Sequence, residues 1–288
     1  MIVLSTPGFS DYELIDSGNG KRLERYGKYL ISKPDPQAIW STKKDSNFWE
    51  KADAVYIQNG NKGSWLNKNN VPEKWLIKYK NLSFYCKLTP FKHTGVFPEQ
   101  SVNWDFIEEI LRQAQGKQPN VLNLFGYTGI STLAAAASGA KVTHVDASKP
   151  SISWARENQK VSGLSQKPIR WILDDAIKFV QREVKRAVKY DAIIMDPPIY
   201  GHGPEGEVWN FNESFPKLME LCSLVLSDNP LFIIVNAYAI SSSSIMLDNV
   251  LKDYLGGLGG TFENGELALQ ERDNGRLLST GIFARWSK

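Results

Sequence analysis

The stretch Val121-Leu-Asn-Leu-Phe-Gly-Tyr-Thr-Gly-Ile130 restricts the possible folds more than any other part of the chain. Its apolar run from Val121 to Phe125 reads as a buried parallel strand. A Gly126-x-x-Gly129 turn follows, and Ser131 to Ser138 starts an Ala-rich helix. Neither glycine has a Cβ, so backbone can approach a ligand closely, and the helix behind them offers unpaired N–H groups. Lys141 to Val145 reads as the next strand and ends on Asp146, 20 residues after Gly126. An acid at that distance commonly accepts the hydroxyls of a nucleoside ribose. The full G-x-G-x-x-G pattern is absent, so an ordinary α/β turn stands as the alternative.

The pattern repeats downstream. Lys149 to Val161 reads as a helix, Ile169 to Leu173 as a third strand ending on Asp174-Asp175, Lys178 to Lys189 as a basic amphipathic helix, and Tyr190 to Met195 as a fourth strand. Asp174 and Asp175 suit either an adenine amino group or the N-cap of the following helix. The fourth strand delivers Asp196-Pro-Pro-Ile-Tyr200. Pro197 forces Asp196 into an extended conformation, and two prolines remove two N–H donors, leaving acceptors aimed at a ligand. Open α/β sheets bind ligands beyond the carboxyl ends of their strands, which puts this turn on the same crevice as Gly126 and Asp146. Gly201, Gly203, Pro204 and Gly206 then read as a lid with Trp209 and Phe211 at its far end. Leu231 to Val235 is a fifth strand ending at Asn236-Ala-Tyr238, and Ser241 to Leu255 a helix. Segments 265–271 and 277–286, joined at Asp273-Asn-Gly275, form a hairpin that closes the sheet antiparallel.

Residues 1–88 lack this alternation and read as a small β-rich domain ahead of a nucleotide-binding domain at 89–288. Tyr12 to Ile15, Lys21 to Glu24 and Tyr29 to Ile31 look like short antiparallel strands. Lys43 to Asn70 mixes Lys, Asn and Gly with Trp49 and Trp65, which fits stacking on single-stranded nucleic acid or, equally, tryptophans that staple a β-domain. Residues 1–90 hold 14 Lys/Arg against 9 Asp/Glu, leaving 20 against 22 in the remainder, so the small net charge of +3 hides a basic front. That asymmetry suits a polyanionic partner or a lysine-rich solvated surface. Cys86 and Cys222 make neither a disulfide framework nor a metal-ligand spacing. With no basic leader and no membrane-length apolar run, the expected setting is the cytoplasm, without metal.

A dinucleotide dehydrogenase would continue into a second βαβαβ half. Here the fourth strand ends in Asp-Pro-Pro and the sheet in a hairpin. At this point the sequence resembles the class I S-adenosylmethionine (SAM) methyltransferases, with a Rossmann-like α/β sheet. Residues 122–129, His144-Val-Asp-Ala-Ser148, Asp174-Asp-Ala176 and Asp196-Pro-Pro198 are similar to motifs of the large-subunit ribosomal RNA methyltransferases, and Thr94-Gly-Val-Phe-Pro-Glu-Gln100 to the segment preceding their SAM domain. The resemblance covers roughly residues 85 to 286. It implies SAM contacts by Gln100, Phe125, Gly126, Tyr127, Thr128, Gly129, Asp146, Ala147, Asp174 and Asp175. It also implies an acceptor base held by Asp196, Pro197 and Pro198, with Tyr200 stacking on it. Cytosine-C5 members of that family carry a cysteine just beyond the fifth strand, where this chain has Asn236-Ala-Tyr238. Attack at C6 of a pyrimidine needs a thiolate, so the expectation is transfer to a base nitrogen of ribosomal RNA. A small-molecule or protein methyltransferase, and an RNA-binding protein that keeps SAM without chemistry, are the alternatives.

Overall fold

A computed structural model of the chain describes every residue except 1, 7, 61, 115–117 and 239–241. Two compact units emerge: Met1–Leu4, Val102–Leu267 and Thr280–Lys288 form one; Ser5–Ser101 and Ala268–Ser279 form the other.

The elements, in chain order, are β1 (Ile2–Ser5), β2 (Tyr12–Gly18), β3 (Lys21–Tyr26), β4 (Tyr29–Pro34), α1 (Ser46–Trp49), β5 (Ala54–Asn59), β6 (Lys62–Asn67), β7 (Trp75–Tyr79), β8 (Leu82–Cys86), α2 (Ser101–Gln113), β9 (Asn120–Leu124), α3 (Ile130–Ala137), β10 (Lys141–Asp146), α4 (Lys149–Val161), β11 (Ile169–Leu173) and α5 (Ala176–Lys185). They continue with β12 (Ala192–Met195), β13 (Tyr200–His202), β14 (Val208–Asn210), α6 (Phe211–Leu224), β15 (Phe232–Tyr238), α7 (Ser244–Leu255), β16 (Thr261–Gln270) and β17 (Leu277–Ser287).

In the larger unit an eight-stranded sheet runs β1-β16-β17-β15-β12-β9-β10-β11. The strands β11, β10, β9, β12 and β15 are parallel, and β17 joins β15 antiparallel. Buried on both faces, β9, β12 and β15 are mainly apolar, as central parallel strands are, with Asn123 and Asn236 as buried polar exceptions. One face packs Phe179, Phe215, Leu218 and Cys222 against Ile193 and Ile233; the other packs Ile107 and Leu111 against Val121 and Ile234. The chain reverses direction across the sheet between β9 and β12, a switch point of the kind that opens a ligand crevice. The expected class I sheet with an antiparallel finish is what forms. The sequence places the fifth helix at 178–189, whereas it runs Ala176–Lys185 because Asp175 caps it. The expected start of α7 at Ser241 lies outside the described residues, as does the glycine at 116 after α2.

The smaller unit carries a five-stranded sheet, β2-β3-β4-β5-β6, and the hairpin β7-β8. Strands β5 and β6 fill the Lys- and Asn-rich stretch in which periodicity shows no strand. Their pairing is set by Tyr56 opposite Trp65, edge-to-face at 5.2 Å. Tryptophans act here as staples: Trp49 donates its indole N–H to Asp16 at 3.0 Å, Trp75 to the Tyr26 carbonyl at 3.1 Å, and Trp65 to the Thr89 carbonyl at 2.6 Å. At the centre Glu24 accepts hydrogen bonds from Tyr12 and Tyr26 and pairs with Lys33 at 2.7 Å. Burial alone pushes that carboxyl up, but Arg22 and Lys33 bring it below the ordinary range.

Candidate active site

The register of the parallel strands aligns Met195, Leu124 and Val145 as neighbours, with Asp146 beside Leu173. Phe125, Asp146, Asp174 and Asp196 therefore leave the carboxyl ends of four adjacent strands on one edge of the sheet. This is how residues scattered over about 70 positions come to share a crevice.

The turn after β9 is unusual backbone. Phe125, Tyr127 and Gly129 have φ of 55°, 47° and 80°. Aromatic residues at positive φ are uncommon and mark a conformation held by its surroundings. Gly126 donates its N–H to the Val145 carbonyl at 3.1 Å and accepts from the Gly129 N–H at 2.9 Å. A Cβ on Gly126 would land on the His144 ring, and one on Gly129 would lie 2.8 Å from the Ala155 Cβ. Both glycines are thus required by the floor of the turn, and Gly129 by its positive φ as well. From below, Asn123 donates to the Thr132 hydroxyl, which bonds His144 Nδ1 at 2.9 Å, and from α4 Asn158 donates to the Thr128 carbonyl at 2.9 Å. Burial holds the His144 imidazole neutral, its pKa lowered to about 3, and its Nε2 has no hydrogen-bond partner among the described residues.

Asp146 braces this turn. One carboxylate oxygen accepts the Tyr127 N–H and the other the Ser148 N–H, each at 2.8 Å. Burial pushes its carboxyl up, and the two amide bonds partly offset that. Ala147 is half-buried between these contacts. Each carboxylate oxygen retains capacity for a further donor, which suits a ribose hydroxyl. Asp174 donates its N–H to the Asp146 carbonyl at 3.1 Å, and its carboxylate pairs with Arg182 and the Asp175 N–H. Asp175 caps α5 through the Lys178 N–H at 2.9 Å. At the far side Asp196 is half-buried and Pro197 buried, while Pro198 and Tyr200 are exposed. The expected lid is a short antiparallel hairpin, β13-β14, with Tyr200 edge-to-face on His202 at 5.3 Å. Gln100 closes a single 3-10 turn, Pro98–Gln100, is buried, and belongs to the smaller unit.

Sequence reading missed three groups. Asn103 on α2 donates to the buried Asn236 at 3.0 Å, fixing the end of the fifth strand. The Asn123-Thr132-His144 chain supports the glycine turn, and its only signal was a polar residue inside each of two apolar strands and one in the Ala-rich helix between them. Trp209 donates its indole N–H to the Pro198 carbonyl at 2.6 Å.

The residues present fit SAM. The N-cap of α3 is Gly129, which has no side chain to cap the first turn and so suits an amino-acid carboxylate there, and the Asp146 carboxylate has the chemistry to accept from ribose hydroxyls. Residues 54–254 match the profile of the S-adenosylmethionine-dependent methyltransferases. A SAM-dependent methyltransferase from Agrobacterium tumefaciens has the same fold over the whole chain and 93% of its own, with a TM-score of 0.97 and 42% identity. A putative SAM-dependent methyltransferase from Streptococcus mutans shares the fold, with a TM-score of 0.73 and 19% identity over 97% of this chain and 76% of its own. Ribosomal RNA large subunit methyltransferase K/L of Shewanella frigidimarina is 33% identical over 161 residues, 55% of this chain and 21% of that protein. The chain thus spans about a fifth of the length of the curated relatives it matches. With the family profile covering well over half its length, the chain belongs to the S-adenosylmethionine-dependent methyltransferases and is an enzyme that takes its methyl group from SAM.

Proposed function

We propose that this enzyme methylates a base nitrogen of ribosomal RNA. The observation that carries the reading is the Asp196-Pro-Pro198 turn, which leaves β12 immediately beside the strand that ends in the glycine turn. In it, Asp196 and the Pro197 carbonyl hold the acceptor base while Tyr200 stacks on it. Bound beside this turn, SAM would supply an electrophilic methyl carbon: the acceptor nitrogen's lone pair would take it while the C–S electron pair stayed with sulfur, leaving S-adenosylhomocysteine. An amino acceptor passes its surplus proton to Asp196 or water. Positioning dominates such a step, because the sulfonium is already a good leaving group.

Nitrogen rather than carbon is favoured by the thiols. Cys86 and Cys222 are both fully buried, and burial pushes both far above the range in which thiolate forms at neutral pH. RNA is favoured by the names of the curated relatives and by the smaller unit, which we take, over residues 1–88, as the RNA-binding part. There Lys28 lies over Tyr29 at 5.2 Å, Lys51 over Phe48 at 5.2 Å and Lys74 over Tyr85 at 4.5 Å. All three rings are half-exposed, a pairing of cation and ring that suits phosphate and base together. Mass mapping of ribosomal RNA from cells with and without the protein tests this. One fragment lacking a single methyl group, restored by adding enzyme and SAM, is the expected result. Identical maps would rule out this substrate.

A further inference from the structure

The hairpin after the Asp196 turn ties the two ends of the reaction together. Its Trp209 is buried, with two contacts on opposite sides. The indole N–H donates to the Pro198 carbonyl at 2.6 Å. The ring lies against Phe125, edge-to-face, with centroids 4.9 Å apart. Pro198 belongs to the acceptor turn; Phe125 opens the glycine turn and sits at positive φ. One rigid side chain therefore spans the two loops whose separation fixes the distance between methyl group and acceptor.

The hairpin is built to hold that side chain still. Phe211 donates to the Ile199 carbonyl at 2.9 Å and closes its base, and Gly203 donates to the Glu207 carbonyl at 2.8 Å and closes its tip. Glu207 folds back to accept the Glu205 N–H at 2.9 Å, in space that a Cβ on Gly203 would occupy. Lys178 on α5 pairs with both Glu205, at 3.0 Å, and Glu207. Lys178 lies one helical turn from Asp175, so the hairpin is also anchored beside the acids that follow β11.

We propose that Trp209 is a positioning residue for methyl transfer, transmitting the state of the SAM-binding turn to the acceptor turn through Phe125 and the Pro198 carbonyl. This rests on the reading of the Asp196 turn as the acceptor side. Near-attack geometry is lost over fractions of an ångström, so a loosened bridge lowers the rate of the chemical step and leaves cofactor binding intact.

Two variants separate the contacts. Trp209→Phe keeps a ring against Phe125 and removes the donor; Trp209→Leu removes both. Hydrogen exchange of the Tyr200–His202 amides is followed with and without saturating S-adenosylhomocysteine, a readout that needs no acceptor. Calorimetry gives affinity, melting gives stability, and single-turnover transfer uses ribosomal RNA from cells lacking the protein. In the native enzyme the ligand should slow exchange in the hairpin. In Trp209→Leu that slowing should vanish with affinity within ~3-fold, and in Trp209→Phe transfer should fall ~10-fold at unchanged melting temperature. Ligand protection that persists in Trp209→Leu would overturn the proposal. So would a parallel fall of stability, affinity and rate in Trp209→Phe, which marks a merely structural tryptophan. If native enzyme transfers nothing to this RNA, the substrate reading fails while the exchange arm still decides the bridge.

Discussion

The carboxylate of Asp146 holds the backbone N–H of Tyr127 at 2.8 Å, so the acid proposed to bind ribose also fixes the glycine turn proposed to receive the rest of the cofactor. Asp146→Ala removes both roles. SAM affinity should fall ~10- to 100-fold, the worth of a hydrogen bond to a charged group, as read by calorimetry. The pH dependence has a defined sign. Burial raises this carboxyl, so its contribution to stability is present below the ordinary aspartate range and is lost as pH rises through its folded-state value. Cofactor affinity runs the other way and should fall on acidification at a higher pH than an unperturbed aspartate would give. Affinity unaltered down to pH ~4 would contradict the assignment.

Gly126 and His144 should behave as one unit. Gly126→Ala sets a methyl against the imidazole and should weaken SAM binding ~100-fold, still within reach of calorimetry, whereas Gly126→Ala combined with His144→Ala makes room and should recover part of it. A double-mutant cycle with a coupling of ~1 to 3 kcal/mol is expected for groups in contact. Additive losses would show that the methyl acts elsewhere.

Asp196→Ala should leave SAM affinity within ~3-fold while lowering single-turnover methyl transfer by at least ~100-fold, through lost orientation of the acceptor. Full activity in a well-folded variant would move the catalytic site away from this turn.

The thiols should be dispensable. A Cys86→Ala, Cys222→Ala double variant should transfer methyl groups within about twofold of native. A stability loss of ~1 to 2 kcal/mol is expected from the two small cavities, visible in denaturant melts. Lost transfer in a folded, SAM-binding variant would restore thiolate chemistry.

Much of the larger unit was legible because its information is local. Gly126, Gly129 and Pro197 act through their own backbone, and the apolar runs around Leu122 and Ile193 have no other place than a doubly covered sheet. What escaped depends on specific side-chain pairings rather than on local composition. Strand β5 holds Ala54, Val55, Tyr56 and Ile57, but it sits inside a Lys- and Asn-rich stretch and its partner β6 has only Trp65 and Leu66 as large apolar residues, so the Tyr56 and Trp65 pairing is what reveals the two strands. The β13-β14 hairpin reads as a flexible lid because its glycines and Pro204 dominate a short segment. Its contacts to Lys178 and the Trp209 bond to Pro198 have no sequence signature. Asp174 and Asp175 were divided between cofactor and cap, and the structure supplies a cap for Asp175 and an arginine partner for Asp174.

Strand β1 lies beside β16, and Thr6 donates its hydroxyl to the Ala268 carbonyl across 262 residues. A methyl group on Gly265 would collide with the Ile2 carbonyl, so the pairing tolerates no side chain there. During synthesis β1 therefore waits for a partner strand made far downstream of it, with its unpaired edge open meanwhile. Nor does either compact unit consist of a single run of chain, because residues 268–279 return to the unit begun at Ser5. Severing the chain near residue 88 would strip Ser17 of its partner Glu271. Surface substitutions, not truncation, are the way to ask what the smaller unit binds.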